Sequence, residues 1–194
     1  AVRGMETLLE GREGAPPPAL LDALEVAYQS AGDRRGQAQV TALRLEVANE
    51  ADHPRLLEQL AVLREEGGGT AEEALEAWGR LLVHDPDAAM VLDRMLALTE
   101  ADPSLVRPAV GKMLEAVETA RAREHVPVAV CVRAARLQLE ALRDPVAAME
   151  TIAVVLEDQP DMPEALALLI ASSRAAGEAG TLHDALARSA ALQT

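Results

Sequence analysis

Enzyme and metal chemistry needs nucleophiles, bases or ligands at fixed spacings, and this chain offers few. Its four histidines are His53, His84, His125 and His183. They fall mainly where helices are expected to end, where an imidazole serves as a cap or a solvated group. The sequence contains no HExxH and no CxxC, so a metal would have to be assembled from distant residues. Cys131 is the sole cysteine, which excludes an intrachain disulfide. It sits in the apolar pattern VAVCVRAARLQL and reads as a small buried hydrophobe, with a reactive thiol as the alternative. Gly67-Gly68-Gly69 lacks the Lys and Ser/Thr of a phosphate-binding loop and follows no strand, so it reads as a plain loop. Glu72, Glu73 and Glu76 read as first-turn and solvent-facing charges. Met90, Met95, Met113 and Met149 recur at helical spacing and are expected in the core. No enzyme activity, cofactor or metal is expected.

What remains is a surface and the elements that carry it. The 194 residues are 49% hydrophobic but only 1% aromatic, with one Trp (Trp78), one Tyr (Tyr28) and no Phe. A core of Ala, Leu and Val suits close helix–helix packing and suits a β-sandwich badly. The formal net charge is −14, and Lys112 is the only lysine. Such a surface repels phosphate backbones and anionic membranes, so neither nucleic acid nor a lipid surface is an expected partner. It favours solubility and basic partners. No apolar run approaches the ~20 residues that span a bilayer, and no basic-then-apolar leader opens the chain. The default compartment is the cytoplasm. Ala1 in place of Met reads as a processing edge.

The helix punctuation is legible. Thr70 and Glu73 form a T-x-x-E capping box. Asp144–Pro145 and Asp102–Pro103 read as N-cap and N1, as does His53–Pro54 or its neighbour Asp52. Pro163 opens another helix. Gly32, the Gly67–Gly69 run, Gly177 and Gly180 mark ends. Thr181 and Asp184 are candidate caps for the last helix. The expected spans are Val2–Gly11, Pro18–Ala31, Arg34–Glu50, Pro54–Glu66, Ala71–His84, Asp87–Glu100, Pro103–Arg123, Val128–Leu142, Pro145–Asp158, Pro163–Ala176 and Leu182–Leu192. Pro108 requires the seventh of these to start late, near Arg107, or to kink. No stretch alternates long enough for a strand.

The chain also repeats itself. AEEALEAWGRLLVHDPD from Ala71 is echoed by PVAAMETIAVVLEDQPD from Pro145, matching Ala74 to Ala148, Trp78 to Ile152, Leu81 to Val155 and Pro86 to Pro160. In a second register, PALLDALEVAYQSAG from Pro18 aligns without gaps to PEALALLIASSRAAG from Pro163. A weaker echo, VLDRMLAL, starts at Val91. Such periods mark an array of stacked units. The spacing Ala74-x3-Trp78-x2-Leu81-x4-Pro86 and its copy resemble the second helix of the tetratricopeptide (TPR) repeat. A small residue there lets helices approach, a bulky one fills the gap, and Pro ends the helix. The first helices lack the family's W-x2-L-G-x2-Y. Leu166 and Leu169, or Val132, Ala135 and Leu139, stand in those places, and Lys112 occupies a position where a large apolar residue is expected. HEAT-like repeats are the alternative, with units slightly long for this spacing.

The resemblance implies an all-α, right-handed superhelix of stacked antiparallel helix pairs. The expected division is a partial repeat over 1–15 (Ala1, Met5 and Leu8 in second-helix places), four-helix units over 16–85 and 86–159, and a terminal pair over 160–194. Neither end reads as a polar cap, so the chain reads as part of a longer solenoid. Pro16-Pro17-Pro18 reads as a stiff turn. In TPR arrays the first helix of each pair lines the concave side. Carried over by register, that places Asp22, Gln29, Glu58, Glu65, Asp93, Glu100, Arg133, Glu140 and Arg174 towards a mostly acidic groove. The expected function is a scaffold holding a partner protein or basic peptide in that groove. The alternative is a structural module that stacks end to end with neighbouring repeats or with copies of itself.

Overall fold

The computed structural model describes residues 16–192, and every regular element among them is helical. The expected helix Val2–Gly11 and the partial repeat over 1–15 lie outside the described residues. Ten α-helices follow one another: α1 (Pro18–Ala31), α2 (Arg34–Val47), α3 (His53–Leu63), α4 (Ala71–His84), α5 (Ala89–Ala101), α6 (Val106–Arg121), α7 (Val128–Glu140), α8 (Pro145–Asp158), α9 (Pro163–Ala176) and α10 (Ala179–Ala191). Several begin or end for a legible local reason. Gly32 and Gly177 close α1 and α9 in the left-handed conformation that glycine adopts without strain. The Asp33 and Asp144 carboxylates accept from Gly36 N and Ala147 N at 3.0 Å and cap α2 and α8. Thr70 and Glu73 form the reciprocal box at the start of α4, at 2.9 and 3.1 Å.

Several boundaries differ from expectation. The late start that Pro108 required is found: Pro103–Leu105 form a 3-10 turn and α6 starts at Val106, so Pro108 sits in its first turn and no kink is needed. Asp102 accepts from the backbone N–H and hydroxyl of Ser104, which hold its carboxyl below the usual value. α2 stops at Val47 and a 3-10 turn follows over Glu50–Asp52. α3 stops at Leu63, and the chain widens into a π-type turn, Arg64–Gly68. Gly67 has φ +98° there, and a Cβ on Gly68 would lie 2.6 Å from the carbonyl oxygens of Arg34 and Leu63. The glycine run is therefore a packed turn rather than a plain loop. α10 starts at Ala179, three residues before the expected Leu182. Gly180 and Thr181 lie inside its first turn and cannot cap it, nor can Asp184.

The described residues divide into two compact units, one up to Leu81 and one from Leu82 onward. In the first, α2 packs on α1 and α3, and also on the π-type turn. Its core joins Leu21, Leu24, Tyr28 and Val40, with Leu20 and Leu43 against them. Trp78, at 1% exposure, is its largest fully buried side chain. In the second unit, α5 to α10 pack each on the next, and α7 also meets α9. Met95, Met113, Cys131, Ile152 and Leu166 are buried there. Met90 (46% exposed) and half-buried Met149 are not core residues, contrary to expectation: Met90 lies on the exposed side of α5, and Met149 lines an open depression.

The repeat recurs as burial. Leu21, Leu24 and Tyr28 of α1 are buried, and so are their register partners Leu166, Leu169 and Ser173 of α9. Ala74, Trp78, Leu81 and Leu82 of α4 are matched by buried Ala148, Ile152, Val155 and Leu156 of α8. Each pair of copies has the same 14-residue length. The repeat is thus a property of packing as well as of sequence.

Candidate partner-binding surfaces

All nine expected groove residues stand exposed. In the first unit, Gln29 of α1 and Glu58 of α3 border one open depression, together with Gln59 and Val62 of α3. Its edge is fixed by a short network. Arg34 pairs with Glu66 at 3.0 Å and donates to Gln37 at 3.2 Å, and Gln37 in turn donates to the Tyr28 carbonyl at 3.3 Å. Gln29 donates to Glu25 at 3.3 Å, one helical turn back. Val62 is 37% exposed, an apolar spot among polar groups.

The other two residues of this unit are engaged within the fold. Asp22 accepts from Arg44 of α2 at 2.6 Å, and Glu25 shares the same guanidinium at 2.6 Å. Glu65 lies in the π-type turn and accepts the indole N–H of buried Trp78. This contact was not foreseen from sequence. The only signal for it is the buried indole itself, because an enclosed Trp N–H requires an acceptor. Arg64, beside Glu65, donates to the Glu73 carbonyl at 2.8 Å and binds the turn to the start of α4.

In the second unit, Asp93 and Glu100 are seven residues apart on α5, and Arg133 and Glu140 are seven apart on α7. Each pair shares one helix face. Arg174 is exposed in the last turn of α9. The remaining reactive groups are accounted for locally. His125 pairs with Asp87 at 2.9 Å, and His53 lies 3.3 Å from the Ala48 carbonyl. Lys112 pairs with Glu115 at 3.2 Å within α6. Burial pushes the Cys131 thiol up to about 11, so it is protonated and unreactive at neutral pH. Among the described residues no three His, Cys, Asp or Glu side chains converge as metal ligands, and no helix is long and apolar enough to cross a membrane.

An apolar depression marks the second unit as well. Met149, Ala153 and Leu156 of α8 and Leu169 of α9 line it, with Thr181 and Arg188 of α10 opposite.

No protein-family model matches the sequence, and no curated protein matches it. Among solved structures, two crystal structures of MamA are similar to this chain, each at 12% identity. One covers 88% of this chain and 86% of its own with a TM-score of 0.44, and the other 84% and 90% with a TM-score of 0.46.

Proposed function

We propose that this chain is a TPR-like protein-interaction module that holds an extended, basic segment of a partner protein along the first helices of its pairs. The observation that carries the reading is the depression in the first unit, where Gln29 and Glu58 come together from separate helices beside exposed Val62. Glutamine amides donate and accept at once, which suits the backbone of an extended peptide. Glu58 supplies the charge for a guanidinium or ammonium group, and Val62 a small apolar contact. On this reading Asp93, Glu100 and Glu140 offer the second unit its own acidic contacts on first helices, with Arg133 and Arg174 as its basic exceptions. The net charge of −14 raises the encounter rate with basic partners and makes the contact salt-sensitive.

The test is capture from the source lysate with the full chain as bait, washed at low and high salt, beside the variants Glu58→Lys and Asp93→Lys/Glu100→Lys. A basic partner that is released by salt and lost with the charge reversals supports the proposal. A partner retained by all of these variants moves the site off the first helices. A second reading, end-to-end assembly, draws on Leu186 of α10 and Leu192 just past its end, 40% and 45% exposed. It predicts a mass that rises with concentration in light scattering and falls back in Leu186→Glu/Leu192→Glu.

A further inference from the structure

The apolar depression of the second unit has the chemistry of a helix-docking trough, independent of the depression in the first unit. Its floor is Leu156 and Leu169, with half-buried Met149 beside them. Its α8 wall is one helical stripe, Val146, Glu150, Ala153 and Glu157, whose members stand at successive turns and are all exposed. Val146 is 53% exposed, so the apolar surface continues past the depression by a turn. Ala153 is small and stands between the two carboxylates, leaving room for a larger side chain from outside. The opposite wall is Thr181 and Arg188 of α10. The Arg188 guanidinium donates to the Pro160 carbonyl, which holds its charge at that end while its aliphatic stem lines the wall.

We propose that this trough docks an amphipathic helix of a partner protein, apolar on the face it buries and carrying Lys or Arg seven residues apart on the edge above α8. The charge pattern selects this occupant. Glu150 and Glu157 are two turns apart, about 10 Å, which is the rise between positions i and i+7 of a docked helix. Glu157 already attracts one cation, since Arg121 reaches it at 3.5 Å. Both of those side chains are at least half exposed, so a partner's Lys or Arg displaces Arg121 at little cost. A second copy of this chain fits poorly, because it brings another net charge of −14 to an acidic rim. An anionic bilayer meets the same rim.

The probe is a fluorescently labelled synthetic peptide of about four helical turns, built of Leu and Ala with Lys at i and i+7. Its anisotropy is titrated with the full chain at moderate salt. A second peptide has the same composition with the order scrambled, and a third has Glu in place of Lys. The expected result is saturable binding of the first peptide alone. Glu150→Lys/Glu157→Lys should weaken it by about tenfold or more, and Ala153→Arg, which fills the gap between the carboxylates, should abolish it. These positions are exposed, and circular dichroism of the variants checks that the fold is kept. Equal binding of the scrambled peptide would overturn the proposal by reducing the contact to diffuse charge attraction. Binding untouched by the variants, or none at all, would overturn it too. So would a dimer in light scattering that Ala153→Arg dissolves, which would give the trough to a second copy.

Discussion

A single hydrogen bond illustrates how much a residue's role depends on what lies outside its own segment. Glu65 is expected by register on the proposed partner-facing side, yet its carboxylate accepts the indole N–H of Trp78, thirteen residues on. Removing the ring should cost most. Trp78→Ala leaves a large cavity and should lower the stability of the first unit by about 3–5 kcal/mol in a urea melt. Glu65→Ala leaves an enclosed N–H without its acceptor and should cost about 1–3 kcal/mol, and Glu65→Gln less, because an amide oxygen still accepts. A Trp78→Ala midpoint equal to that of the wild type would contradict the buried indole. Cys131 gives a pH-dependent counterpart. Its thiol holds its proton up to about 11 in the fold, against an ordinary value of 9.0. Above about pH 9 the unfolded chain has released that proton and the native chain has not, so stability falls as pH rises through that window. Urea midpoints across the alkaline range should fall more steeply for the wild type than for Cys131→Ala, and equal slopes would remove the thiol from the account.

At the scale of elements, packing between α1 and α2 depends on an absent side chain. A Cβ on Gly36 would lie 2.2 Å from the ring of buried Tyr28. Gly36→Ala therefore forces the ring or the helix to move and should destabilise the first unit by about 1–3 kcal/mol, although Ala is the better helix former. A melt unchanged or raised would show that the ring yields freely. The register partners of these two residues are Ser173 and Thr181, so the second copy places a smaller residue on its first helix and a larger one on its second. Helices α1, α4, α8 and α9 end where their prolines, caps and glycines place them, because those signals act within a turn of the boundary. The start of α10 was also legible, by a route that local signals hide. Carrying the Pro18-to-Pro163 register one helix further aligns Ala179 with Arg34, the first residue of α2, whereas Thr181 and Asp184 mislead because Ser, Thr and Asp favour caps anywhere. The π-type turn was not legible. It exists because Gly68 must fit against two carbonyl oxygens, one of them from α2, and no pattern within 64–68 carries that contact. The candidate sites fall between these cases. Heptad spacing put pairs of groove residues on common faces, but the meeting of Gln29 with Glu58 depends on how α2 holds α1 and α3 on either side, and the trough beside α8 depends on three helices together.

For the molecule as a whole, charge and singularity matter more than any one contact. In a chain with 32 acidic residues against 18 basic ones, most ion pairs among the described residues are exposed, Arg44 with Glu25 being the more buried exception. Exposed pairs of this kind are weak and screened, so salt should alter what the protein binds far more than how well it folds. The comparison that checks this is a urea midpoint nearly constant from low to high salt while captured partner is lost over the same range. The two units also differ in what they carry. The one tryptophan lies in the first and the one cysteine in the second, and both are buried. Nature has thus labelled each unit once, with a different spectroscopic handle. Indole emission follows the opening of the first unit, and the rate at which a thiol reagent consumes Cys131 follows the opening of the second, so the energetic independence of the two is measurable on the unmodified chain.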